Sequence, residues 1–258
     1  MKVAVDIDPV RLFQDETSKD KRFELTSDRI LYEDPDLILV DKPAGLPAHP
    51  TVDESRDNLF AAVTRFLEKR DGKTPYLGIH QRLDRDTSGI VLFTKSRQVN
   101  PALAELFSAH KIIKTYQALT EPRVSGKRKE KWTVRNRLGK MSSRGKRTRY
   151  GAVDSGGDFA ETAFRVIEEY PVGLWIEAMP KTGRTHQIRV HLAEDGMPIL
   201  GDDLYGGGHS HDLASRLMLH AVELKFPHPL SGVQLSVKSA LPIDFVRVLD
   251  RMRNSKGL

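Results

Sequence analysis

The stretch His80-Gln81-Arg82-Leu83-Asp84-Arg85-Asp86-Thr87-Ser88-Gly89 sets two carboxylates two residues apart among guanidinium groups, just before the apolar run Ile90-Val91-Leu92-Phe93. A carboxylate placed in this way can act as a nucleophile, a general base or an ion-pair partner. On an extended chain Arg82, Asp84 and Asp86 share a face, whereas in a turn they diverge, so spacing alone leaves their geometry open. Thr87, Ser88 and Gly89 suit a tight turn that presents Asp84 outward. An isolated Arg-Leu-Asp more often caps and salt-bridges a loop than it does chemistry.

A second polar segment changes that balance. It runs Lys181-Thr182-Gly183-Arg184-Thr185-His186-Gln187-Ile188-Arg189-Val190-His191-Leu192 and is followed by Gly201-Asp202-Asp203-Leu204-Tyr205. Thr185 as N-cap and Gly196 as C′ residue frame a short helix with Ile188 and Leu192 inward. His186 and Arg189 then share a face, and Arg189 can be aimed at a buried carboxylate. The competing reading is a charged helix surface with ordinary ion pairs.

Three further strings stand in order with these two: Ile30-Leu31-Tyr32-Glu33-Asp34 leading to Asp41-Lys42-Pro43-Ala44-Gly45-Leu46, Lys114-Thr115-Tyr116-Gln117-Ala118, and Leu217-Met218-Leu219-His220-Ala221. Together the five resemble the RluA-type family of RNA pseudouridine synthases, over roughly residues 28 to 245. The resemblance implies that Asp84 is the catalytic aspartate, Tyr116 the active-site tyrosine and Arg189 the basic partner of the aspartate. It also implies that Arg82 and Arg184 contact RNA, and it marks Thr87 and Leu219 as further substrate-binding positions. It implies a mixed sheet crossed by an active-site cleft, no cofactor and no metal. The partner would be structured RNA, ribosomal or transfer, with the target uridine flipped into the cleft. Two departures stand out. Gln81 separates His80 from Arg82, where the family commonly has His directly before Arg, and no S4-like RNA-binding module precedes the matched region.

The chemistry suits these residue types. Isomerising uridine breaks the N1 to C1′ bond, turns the base and joins C5 to C1′, with no net redox change. A carboxylate can divide that into easier steps as a nucleophile, or act as a base at the sugar. Burying a carboxylate under a nucleoside favours its neutral form, and a close guanidinium opposes this while fixing its orientation. Arg suits the task better than Lys because its charge persists and its fork is planar. A tyrosine offers the detached base a flat apolar surface and a polar tip that can accept the C5 proton. By itself, Tyr116 reads more readily as a cross-strand aromatic. Extruding a nucleotide from an RNA stack costs a few kcal/mol, which phosphate contacts can offset.

Those contacts have a candidate source. Residues 123 to 149 hold 12 Lys or Arg against the single Glu130, in a chain of net charge +6, so the rest of the chain is acidic. With Trp132 and Tyr150 alongside, the segment suits a surface that tracks an RNA backbone, although a solvated charged loop has the same composition.

The positioning elements follow from periodicity. Leu37 to Val40 reads as a buried strand ended by the Asp41 to Gly45 turn. Leu59, Phe60, Val63, Phe66 and Leu67 recur at helical spacing, with Asp57 near the start and Asp71-Gly72 as the stop. A strand at Gly89 to Thr94 precedes a helix opened by Asn100-Pro101 that turns Leu103, Leu106 and Phe107 inward, then a strand from Ile112 to Leu119. Gly173 to Met179 reads as a strand. Met218 to Phe226 and Val233 to Val237 form a hairpin, and Pro242 opens a closing helix burying Phe245, Val246 and Leu249. Many strands and few long helices predict an α+β fold with a mixed, largely antiparallel sheet and flanking helices. The expected division is an extension over residues 1 to 26 and one catalytic domain over 27 to 258 carrying the 123 to 149 insert.

With 258 residues, 39% hydrophobic and no cysteine, the chain is a globular protein that excludes disulfides, thiolate nucleophiles, iron-sulfur clusters and Cys-based zinc sites. No run of 18 apolar residues and no secretory h-region is present, so the expectation is a cytoplasmic protein without membrane contact. No obligate protein partner is evident. Asp154-Ser155-Gly156-Gly157 is superficially protease-like but lacks any accompanying motif. His209, His211 and His220 suit solvated or structural roles better than a metal site. The rival function is an RNA-binding or assembly factor of the same fold with little turnover.

Overall fold

The computed structural model describes residues 22–50, 57–122, 130–144, 147–206 and 213–255. The sheet begins with β1 (Ile30–Glu33) and β2 (Leu37–Lys42), followed by helix α1 (Leu59–Asp71), β3 (Gly78–Ile79) and β4 (Ser88–Thr94). Helix α2 (Asn100–Ser108) leads to β5 (Ile113–Thr120), β6 (Lys131–Arg144), β7 (Arg147–Ala152), β8 (Asp158–Tyr170) and β9 (Gly173–Pro180). Helix α3 (Gln187–Glu194), β10 (Leu219–Pro227), β11 (Gln234–Lys238) and helix α4 (Ile243–Asn254) complete the described chain. The strands join in one 11-stranded sheet ordered β1-β2-β4-β10-β5-β9-β8-β6-β7, with β3 on β4 and β11 on β10. Every pairing is antiparallel except β4 with β10, so the predicted α+β architecture holds.

The first half of the sheet is covered on both faces, which explains why β2 and β4 read as unbroken apolar runs. Ile38, Val40, Val91 and Phe93 meet Leu59, Val63 and Leu67 of α1 on one face. Leu37, Leu39, Ile90 and Leu92 meet Val99 and Leu103 on the other. In the second half, Phe164, Ile176 and Ala178 form a core with Ile188 and Leu192 of α3 and with α4.

Local sequence sets the ends of these elements. Asn58, not Asp57, caps α1 by accepting the Ala61 N–H, and Gly72 ends it in the left-handed region. Asp57 instead accepts the Phe23 N–H and pairs with Arg65 at 2.7 Å. Phe23 and Leu25 pack into the core beside α1, so the packed body begins before the expected boundary at residue 27. On α4 the buried set is Phe245, Val248, Leu249 and Met252. Val246 lies off this i, i+3, i+4, i+7 stripe, which corrects the expectation.

The basic segment is the largest departure in secondary structure. Its described part is not a loop: residues 131–144 and 147–152 form the β6–β7 hairpin, which pairs with β8 at the sheet's edge. Residues 123–129 and 145–146 of the segment, like His209 and His211, lie outside the described residues. Asp154 to Gly157 is the exposed turn joining β7 to β8, which leaves Ser155 without the setting a nucleophile needs. Among the described residues, no helix is long and apolar enough to cross a membrane.

Gly89 occupies a tight point of the sheet. Its φ is +111°, and an added Cβ would lie 2.3 Å from the Ala221 carbonyl oxygen across the β4/β10 pairing. Gly89→Ala should therefore lower stability by about 3 kcal/mol or more, read as a shift in the urea midpoint.

Two buried histidines set an acid limit on the fold. His191 is fully buried between Thr162 and Asn136, and His220 is fully buried with Nδ1 2.9 Å from Ser88 Oγ. Burial pushes both down to about 4 from 6.5. Their unfolded forms take up protons near pH 6.5, so the stability they contribute is complete above that pH and is lost as pH falls towards 4. Each should account for a loss on the order of 3 kcal/mol over that window. Denaturation curves from pH 7 to pH 4 will show it, and His191→Gln should flatten the slope.

Candidate active site

The loop between β3 and β4 carries Asp84. It is a turn closed by the Thr87 N–H to Asp84 carbonyl bond at 3.1 Å, so Arg82, Asp84 and Asp86 diverge. Asp86 pairs with Arg85 at the surface, at 2.9 Å. Asp84 turns inward instead, where Arg189 Nη1 lies 3.4 Å and His186 Nε2 4.0 Å from its Oδ2.

The loop is clamped by Lys42, a residue with no role foreseen in the sequence. Its fully buried Nζ donates to the carbonyls of Pro43 (3.0 Å), Leu46 (2.8 Å) and Arg85 (2.8 Å). Burial pushes Lys42 down to about 7, against the pull of Asp86 and Asp84. Three acceptors require three donors, which the ammonium supplies and the neutral amine does not. The signal was present: Ile38, Val40 and Lys42 alternate on one side of β2, so the lysine continues a buried row.

Arg189 comes from α3, whose start differs from the expected threonine cap. His186 takes the N-cap position in the left-handed region (φ +57°) without a side-chain cap bond. Gln187 holds the turn, its Oε1 accepting from Thr182 Oγ1 (2.7 Å) and the Arg184 N–H (3.0 Å), and its Nε2 donating to the Glu161 carbonyl (3.0 Å). Arg189 reaches Asp84 as expected; His186, which the sequence placed on the same helix face, instead approaches Asp84 from this turn.

The principal partner of Arg189 is Asp202, which accepts from Nε and Nη2 at 2.8 Å each. Asp202 also accepts from the N–H groups of Leu204 and Tyr205. Burial disfavours the guanidinium charge, but Asp202 and then Asp84 outweigh it and hold Arg189 above the usual arginine value. Nothing in the sequence alone gave Asp202 a role, because its pairing is visible only once the 201–205 turn folds back on α3. Tyr205 was likewise missed. Its ring lies under the guanidinium groups of Arg189 (5.1 Å) and Arg149 (5.5 Å).

Asp84, His186, Gln187 and Arg189 line a cleft of about 530 Å³, within the range of small-molecule sites. Tyr116 forms one wall from β5, and burial and then the Asp84 charge raise its phenol well above the usual value, keeping it protonated. Leu219 and Thr87, both buried, line it as well. Arg82 and Arg184 are exposed at its rim, with Arg184 Nε donating to the Phe159 carbonyl at 2.9 Å. Every site residue expected from the sequence therefore lies on this one cleft. His80 and Gln81 line it too, His80 bound to Asn100 Oδ1 at 3.1 Å and Gln81 donating to the Ile90 carbonyl.

Comparison with known proteins bears on the family and the fold. The model of the family described as RNA pseudouridylate synthase matches residues 36–194. A ribosomal large subunit pseudouridine synthase D from Xanthomonas campestris pv. campestris is 33% identical over 241 residues, covering 88% of this chain and 70% of its own. An uncharacterized RNA pseudouridine synthase of Bacillus subtilis is 35% identical over 218 residues, covering 83% of this chain and 69% of its own. The solved human RNA pseudouridylate synthase domain containing 4 shares the fold at 24% identity, with a TM-score of 0.71 over 88% of this chain and 94% of that one. A 24% match speaks for the fold alone, whereas the family model and the relatives above 30% identity carry the assignment. The chain belongs to the RNA pseudouridylate synthase family, in its RluA-type branch, and is an isomerase that acts on RNA.

Proposed function

We propose that the chain converts specific uridines of structured ribosomal RNA to pseudouridine, using Asp84 as the essential carboxylate and a nucleotide flipped into the cleft. The observation that carries this reading is the Asp84 carboxylate, held by Arg189 at 3.4 Å in a cleft walled by Tyr116. Arg189 orients the carboxylate, so it can attack C1′ or the base as a nucleophile, or act as a base at the sugar. Tyr116, a neutral phenol, offers a surface for the detached uracil and a hydroxyl near C5. Arg82 and Arg184 at the rim suit phosphates on either side of the extruded nucleotide, while Leu219 and Thr87 line its pocket. The names of the bacterial relatives favour ribosomal over transfer RNA as the substrate. Pseudouridine mapping of ribosomal and transfer RNA from a strain lacking the protein tests this. A ribosomal position should lose its modification and regain it with the wild-type chain but not with Asp84→Asn. A loss confined to transfer RNA would overturn the substrate assignment.

The β6–β7 hairpin supplies a backbone-tracking surface beside the cleft. Lys131, Arg137 and Lys140 are exposed along β6. Replacing the three with Gln should weaken RNA binding and shrink the slope of log K against log salt by about 0.7 for each phosphate that is no longer neutralised. Filter binding between 50 and 300 mM salt, about the range over which counterion release dominates, is the measurement.

A further inference from the structure

We propose that His186 is a positioning residue that fixes one oxygen of Asp84, and that the basic hairpin sets His186 through Tyr205. This rests on the reading of Asp84 as the reactive carboxylate. A histidine with positive φ is a costly choice at a helix start, and here it aims the imidazole between two aromatic edges. Tyr150 of β7 and Tyr205 meet the ring at 5.8 and 5.6 Å, with interplanar angles of 82° and 80°.

The hydrogen-bond chain defines the tautomer. The Tyr205 hydroxyl oxygen accepts the Tyr150 N–H at 3.0 Å and lies 2.9 Å from His186 Nδ1. Burial raises the Tyr205 phenol, so it keeps its proton, for which Nδ1 is the acceptor in reach. The imidazole proton then sits on Nε2, facing Asp84 Oδ2 at 4.0 Å. Arg189 approaches that same Oδ2. Arg189 donates to Oδ2, and the His186 Nε2–H faces the same oxygen from beyond direct hydrogen-bond range, so both positive edges bear on Oδ2 and Oδ1 is the oxygen left for the substrate. The charged groups facing His186 are Asp84, Arg189, Asp202 and Arg82, and burial, the largest influence, keeps the ring neutral. Because the Tyr150 N–H and the Arg149 guanidinium both belong to β7, RNA gripping the hairpin would bear on the orientation of Asp84.

The test is single-turnover tritium release from C5-labelled RNA, with the RNA Kd measured in parallel. His186→Gly keeps the backbone conformation without strain, and should slow turnover roughly 10²-fold while leaving Kd near wild type. His186→Gln, whose amide Nε2 carries an N–H donor about as far from the backbone as the imidazole Nε2, should restore most of the rate. Tyr205→Phe frees the tautomer, so its deficit should shrink only as pH falls below the lowered imidazole value, where protonation places a hydrogen on Nε2 regardless. A wild-type rate in His186→Gly, a Gln variant as slow as Gly, or a Tyr205→Phe deficit that persists after the imidazole is protonated overturns the proposal. Normal turnover by Asp84→Asn would instead sink the underlying reading of the site.

Discussion

Asp84→Asn should yield no detectable pseudouridine, at least roughly 10³-fold below wild type, while the protein stays folded and binds its RNA. The asparagine amide is nearly isosteric, and the Lys42 clamp holds the turn through the backbone carbonyl of Arg85, so the loop geometry is insensitive to the change. The lost quantity is the carboxylate oxygen, and Asp86, paired with Arg85 at the surface, does not stand where it could substitute. Removing a charge opposite Arg189 also removes a repulsion towards phosphate, so affinity should be kept or slightly improved. Tritium release and gel-shift binding on the same preparation decide the matter. Residual turnover within tenfold of wild type would mean that another group does the chemistry.

Arg189→Ala should damage stability and turnover together. The guanidinium is buried and makes a two-bond pair with Asp202, whose side chain is fully buried. Deleting it strands that carboxylate without a counter-charge, a change that costs about 3–5 kcal/mol in comparable buried pairs. Asp202 also holds the N–H groups of Leu204 and Tyr205, so the disturbance reaches the turn that supports His186. Turnover should fall even at a temperature where the variant remains folded, because Asp84 loses its closest cation. Arg189→Lys, with one point charge in place of a fork, cannot serve Asp202 in two-bond fashion and Asp84 at once. It should recover part of the stability and little of the activity. Urea denaturation alongside rates at 20 °C separates the two effects.

The elements legible in the sequence were those whose pattern is set by burial. Leu37 to Val40 and Gly89 to Thr94 are buried on both faces and read as apolar runs, and α1 announces itself by spacing and by Gly72. The β6–β7 hairpin escaped because its outward row, Lys131, Arg135 and Arg137, dominates the composition. The inward row of Trp132, Val134, Asn136 and Leu138 still shows the period of two that marks a strand. The meeting of Asp84 with Arg189 came from family resemblance and not from spacing, since 105 residues separate them. Lys42, Asp202 and Tyr205 stood inside or beside the family-like strings yet gained roles only through contacts across the fold. A buried lysine that binds carbonyls and an aspartate that holds a guanidinium from behind look, in one dimension, like ordinary surface charges.

The lone parallel joint between β4 and β10 bears on how the molecule is born. Among the described strands, the hydrogen-bonded link from β1–β4 to the rest of the sheet runs through β10, which begins at Leu219. A chain emerging from the ribosome can order its early strands and its later ones separately, but cannot unite them until most of its length has been made. Such a late, long-range closure is slow and exposes unpaired edges meanwhile. The nascent polypeptide would thus remain catalytically silent until β10 arrives.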